Sequence, residues 1–115
     1  MTNEAYQELL LVLATMSIKQ LNHLLTEIET GNIEPHSYWN LNCGCLYGNA
    51  VHDDDQDWQA AVRNAESLRE EITGSDLLSP LEEELREEAQ YGDNNQGNEF
   101  LSRVHDIVRQ EVSRR

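Results

Sequence analysis

Apolar residues recur at intervals of three and four along most of the chain, and no stretch alternates apolar with polar residues as a half-buried strand would. The first run is Ala5, Leu9, Val12, Leu13 and Met16, followed by Leu21, Leu24, Leu25 and Ile28. Trp58, Ala61, Val62, Ala65, Leu68 and Ile72 share a further face, Leu81, Leu85 and Ala89 another, and Phe100, Leu101, Val104, Ile107, Val108 and Val112 the last. An amphipathic helix must bury its stripe, and with no strands available it can do so only against other helices. The spacing therefore predicts an all-α fold, a single compact helical bundle of four to six helices over residues 1–115, with Trp58, Val62, Leu68, Leu81, Leu85, Val104 and Val108 inward. A chain of 115 residues fits one domain and leaves no room for two ordinary ones.

Local signals place the helix ends. Thr2 or Asn3 can cap the first helix. Ser17-Ile18-Lys19-Gln20 has the capping-box pattern, so either a new helix starts there or one helix bends near Thr15 to Ser17. Gly31 is expected to end it, and residues 32–41, with Pro35, read as a loop. Cys43 to Val51 reads as a short buried helix containing Gly44 and Gly48. Asp57 caps the next helix and Gly74 stops it. Ser79-Pro80-Leu81-Glu82 is the sharpest signal, with Ser at the N-cap, Pro first in the helix and Glu third. That helix is expected to run to about Tyr91, with Gly92 to Asn98 as a polar loop before the last one.

Charge narrows the function. The chain holds 22 acidic and 8 basic side chains, a formal charge of −14, and its one lysine is Lys19. Residues 52–93 alone carry fourteen acids and three bases, a net −11, whereas residues 94–115 are mildly basic at +1. Affinity for phosphate rests on clustered Lys and Arg, so no direct nucleic-acid partner is expected, and a basic protein surface or a cation is the more natural complement. The candidate partner-binding residues are Asp53, Asp54, Asp55, Glu66, Glu70, Glu71, Glu83, Glu84, Glu87 and Glu88, with Glu82 on the same run. The bland reading of any one of them is a solvated helix face. Asp53, Asp54, Asp55 and Asp57 lack the glycine turn and distal glutamate of a calcium loop, and read as a solvated connector and helix cap.

One constellation has metal-ligand chemistry. His36, Cys43, Cys45 and His52 place each histidine seven residues from the nearer cysteine, and two thiolates with two imidazoles make a competent tetrahedral zinc set. Against it, Cys-x-Cys is tighter than the usual ligand spacing, and cysteine is commonly buried without metal. A catalytic thiol is disfavoured because three aspartates follow His52 and oppose the thiolate. No glycine-rich phosphate loop, nucleophile elbow or zinc-protease helix is present, so no enzyme is expected.

The first residues lack a basic start and a small-residue cleavage site, and the apolar run Leu9 to Leu13 is too short to cross a bilayer. Two cysteines without an export signal fit a reducing compartment, so the expected location is cytoplasmic, without membrane. The same leucine run covers a helix almost all round. It serves either a homodimer or a central helix of the monomer.

In Gly44-Cys45-Leu46-Tyr47-Gly48, Ser79-Pro80-Leu81-Glu82 and Gly92-Asp93-Asn94-Asn95 the chain is similar to small phage- and prophage-encoded proteins of no established activity. The resemblance carries over no catalytic residue. It implies a setting, the host cytoplasm, in which small acidic proteins inhibit host defence by occupying nucleic-acid channels, as anti-CRISPR proteins and DNA mimics do. The leading expectation is thus a non-enzymatic inhibitor presenting its acidic surface to a host nucleic-acid-binding protein. The alternatives are a small-ligand or zinc-binding regulatory domain centred on residues 36–58, and an assembly subunit dimerising through the first helix.

Overall fold

In the computed structural model, which describes residues 1–30, 46–51, 53, 55, 57–75, 79–84 and 94–115, the chain begins its first helix at Thr2. The Thr2 hydroxyl accepts the Ala5 N–H at 3.1 Å, and α1 runs over Asn3–Ala14. The chain then breaks rather than bends. Ser17 and Gln20 exchange bonds, with Ser17 N–H donating to Gln20 Oε1 at 2.9 Å and Gln20 N–H to Ser17 Oγ at 3.1 Å, and α2 occupies Ile18–Glu29. Thr30 closes it in right-handed conformation, its N–H and hydroxyl both donating to the Thr26 carbonyl. Gly31, expected to do this, lies outside the described residues.

The short α3, Leu46–Ala50, buries Tyr47 and Ala50. Asp57 Oδ1 accepts the Ala60 N–H at 2.7 Å to open α4, Trp58–Thr73, which ends at Gly74 with φ of 73°. A left-handed residue there satisfies the Glu70 carbonyl through its own N–H at 2.7 Å. Nothing lies within 4 Å of where a Cβ would sit, so Gly74→Ala tests backbone strain alone. It is expected to lower stability by about 1 kcal/mol in thermal denaturation. An unchanged midpoint would mean that the turn is not left-handed.

Ser79 caps the next helical stretch, residues 80–84, as its sequence predicts; its continuation lies outside the described residues. The last helix, α5, covers Asn94–Arg114. The expected loop through Asn98 is therefore corrected, since residues 94–98 are already helical. Local preference opposes this extension, since Asn and Gln cost about half a kcal/mol each against Ala and Gly97 about 1, which is why the sequence reads as a loop there.

Fold class is as the periodicity predicts: the described residues form five helices and the 80–84 stretch, with no strand among them. The radius of gyration of 13.1 Å is that of a compact bundle. The core joins Ala5, Leu9, Val12, Leu13 and Met16 of the α1 region to Leu21 and Leu24 of α2, Tyr47, Ala65 and Leu81, and Phe100, Leu101, Val104 and Val108 of α5. Leu68 and Ile72 pack half-buried against it, and Val62 is half-buried as well. The Trp58 side chain and Leu85 lie outside the described residues.

α5 packs on α2, α3 lies between α2 and α4, and α1 touches both α3 and α4. The far end of α5 also reaches α1, where the Arg115 guanidinium donates to the Leu13 carbonyl at 2.8 Å and to the Met16 carbonyl. These are carbonyls at a helix end, which carries partial negative charge. His105 on α5 meets Glu29 of α2 at 2.8 Å. Among the described residues no helix is long and apolar enough to cross a membrane.

Candidate functional site: exposed acidic residues and a buried carboxylate cluster

The acidic residues divide into two populations that the sequence does not separate. Asp53, Asp55, Glu66, Glu70, Glu71 and Glu83 are exposed. Asp53 Oδ1 accepts the Asp55 N–H at 3.0 Å, which shapes the connector as a local turn. Glu66 and Glu70 stand one turn apart on α4, about 6 Å along its axis, with Glu71 beside them.

Glu84 belongs to the other population. Its carboxylate accepts the Thr2 N–H at 2.9 Å and the Thr2 hydroxyl at 3.2 Å, and lies 3.0 Å from the Met1 amine. It ties the 79–84 stretch to the start of α1, so its charge is committed inside the molecule. Asp54, Glu87 and Glu88 lie outside the described residues, as do all four members of the proposed zinc set, His36, Cys43, Cys45 and His52. Among the described residues no other group of His, Cys, Asp and Glu is placed to hold a metal.

A buried polar cluster is present that sequence reasoning missed. Glu8 is only 5% exposed. Its Oε2 accepts the Tyr47 hydroxyl at 2.5 Å and its Oε1 accepts the Leu81 N–H at 2.9 Å. Leu81 is the second helical residue after the Ser79 cap, so Glu8 supplies a negative charge at a helix N-terminus, from a different helix. Three elements thus meet at one carboxylate: α1, α3 and the 79–84 stretch.

Glu82, also 5% exposed, stands beside it. Its Oε1 accepts the Ser79 N–H at 3.4 Å, completing the capping box with Ser79 Oγ, which accepts the Glu82 N–H at 3.2 Å. Its Oε2 is buried and accepts no hydrogen bond; the guanidinium of Arg69 from α4 stands 3.5 Å away. Burial pushes the Glu82 carboxyl above its ordinary value of 4.5, with Arg69 and Ser79 pulling the other way and Glu8 adding to the rise. The Tyr47 phenol is raised well above its ordinary value of 10.0, first by burial and then by its bond to Glu8, so it stays a proton donor across the physiological range.

A signal for Glu8 was present. It sits three residues after Ala5 and four before Val12, on the inward stripe of α1 and not opposite it. A carboxylate on that stripe must find donors. The stripe cannot say which, because Tyr47 and Leu81 are 39 and 73 residues away.

The chain matches no protein family, no curated protein and no solved structure among those compared.

Proposed function

We propose that this chain is a non-enzymatic interaction protein whose acidic surface docks on the basic groove of a nucleic-acid-handling protein in the place of nucleic acid. An inhibitor of host defence, of the kind that the resemblance to small phage proteins implies, is the form of that activity that fits the charge best. The carrying observation is the direction of Arg69. Of the two arginines on α4, Arg63 is exposed, while Arg69 is turned to the buried Glu82. Its charge is spent internally, leaving Glu66, Glu70 and Glu71 as an acidic ridge that faces solvent with one arginine against three carboxylates. Such a ridge opposes compaction through its own repulsion, and a cationic partner relieves that repulsion.

The test is affinity capture from bacterial lysate, followed by titration of the captured protein at rising ionic strength. A partner that duplex DNA displaces, and whose affinity falls steeply with salt, is the expected result. The triple variant Glu66→Lys, Glu70→Lys, Glu71→Lys should weaken binding by at least roughly a hundredfold while the helical spectrum stays unchanged, because juxtaposed like charges cost several kcal/mol. Binding that ignores both salt and the triple reversal reduces the ridge to a solubilising surface.

A further inference from the structure

Two carboxylates, Glu8 and Glu82, and one guanidinium, Arg69, meet in the buried cluster, so one negative charge there is uncompensated when both carboxylates are ionised. The distribution of donors shows where the deficit lies. Glu8 has a donor on each oxygen, the Tyr47 hydroxyl and the Leu81 amide. Glu82 has the Ser79 amide at 3.4 Å on one oxygen and no hydrogen bond on the other. A buried carboxylate oxygen without a donor is costly when charged, whereas the protonated acid carries its own donor at that atom.

We infer that the cluster is a proton-operated clamp: a single proton taken up on Glu82 neutralises the junction of α1, α3, α4 and the 79–84 stretch and strengthens the hold of that stretch on α1. The charged and titratable groups facing Glu82 among the described residues are Glu8 from α1, Tyr47 from α3 and Arg69 from α4, with Ser79 as its neighbour in the cap. Tyr47 does not compete for the role, since its phenol keeps its proton throughout this range. Because the 79–84 stretch also carries the exposed Glu83, the clamp governs how firmly that part of the acidic surface is presented.

The direction of the pH effect follows from burial, which raises the folded-state value of Glu82 above its ordinary 4.5. A group shifted in that direction contributes stability that is fully present below the unfolded value and is lost as pH rises through the folded value. The protein is therefore expected to gain stability as pH falls through the raised folded value toward the ordinary 4.5, with the folded state holding up to roughly one more proton than the unfolded state between the two. Relief of the general surface repulsion has the same sign but is screened by salt, whereas the buried site is screened far less.

Urea unfolding at pH 5, 6, 7 and 8 in 0.5 M sodium chloride separates the two. Wild type should keep a rising midpoint toward low pH, and Glu70→Gln, an exposed control, should keep the same slope. Glu82→Gln, which retains the acceptor for the Ser79 amide but cannot ionise, should be at least as stable as wild type at pH 8 and lose the slope. Carbon NMR of the glutamate carboxyls in wild type supplies an independent reading, whether or not the variant folds. One carboxyl titrating clearly above the others supports the clamp. If every glutamate titrates in the ordinary range, or if Glu82→Gln keeps the wild-type slope at high salt, the inference is overturned.

Discussion

Glu8→Ala is expected to destabilise the protein by about 3–5 kcal/mol, a large share of what a small domain has. The size follows from what the substitution abandons. The Tyr47 hydroxyl and the Leu81 amide both lose their acceptor in a place that water does not reach, and charge-assisted bonds are the stronger kind. Alanine also leaves the volume of the carboxyl and one methylene unfilled beside Tyr47. Glu8→Gln should cost less, about 1–2 kcal/mol, because the amide oxygen can still accept from Leu81 and the amide nitrogen can donate to the phenol oxygen. Tyr47→Phe removes one donor and should lie between the two. The measurement is urea denaturation followed by helical circular dichroism, near neutral pH, with the Glu8–Tyr47 double variant closing a thermodynamic cycle. Near-additive losses for the pair would show that the two side chains do not meet, and a loss below about 1 kcal/mol for Glu8→Ala would show that water replaces the carboxylate.

The features legible in the sequence share one property: their partners lie within one helical turn. Thr2, Ser17, Asp57 and Ser79 each bond a backbone amide three residues on, and Gly74 closes its own helix, so residue type at a fixed offset is enough to find them. The inward stripes on α4 and α5 are legible for the same reason, since helical period alone sorts Ala65, Val104 and Val108 from their polar neighbours. The start of α5 is hidden because Asn94, Asn95, Gly97 and Asn98 all disfavour a helix locally, and the apolar stripe that identifies it begins downstream at Phe100.

Acidic residues were the harder case. From composition, Glu8, Glu82 and Glu84 are indistinguishable from Glu66 or Glu83, yet the structure buries the first two and binds the third to Thr2. What distinguishes them is long-range packing. Glu82 was visible as the third residue of a capping box, but that role is compatible with full exposure. Only the arrival of Arg69 from α4 and Glu8 from α1 makes it a core residue. The division shapes the surface charge, because Arg69 is turned inward to the buried Glu82 and Arg63 alone faces the outer carboxylates of α4.

The surplus of leucine in α1 leads to the last expectation. A run from Leu9 to Leu13 suits either a dimer interface or a helix surrounded by its own chain, and the structure divides the run unevenly. Leu9, Val12 and Leu13 are fully buried in the core, where α1 packs against α3 and α4, Leu10 is half-buried, and Leu11 remains 54% exposed. Leu13→Ala should therefore cost about 2–5 kcal/mol, the range for a leucine whose cavity cannot collapse. The loss should reach beyond the apolar contacts, since the carbonyl of Leu13 also receives Arg115 from the end of α5. Leu11→Ala should change stability by less than about 0.5 kcal/mol. Protein concentration decides what remains. Leu11, Tyr6 and Ile18 are the exposed large apolar residues among the described residues, and a formal charge of −14 opposes bringing two copies together, so the unfolding midpoint of wild type should not move over a hundredfold dilution. If the midpoint rises with concentration and Leu11→Ala abolishes that rise, the exposed edge of α1 is a dimer interface, and the uneven division of the leucines serves assembly as well as the core.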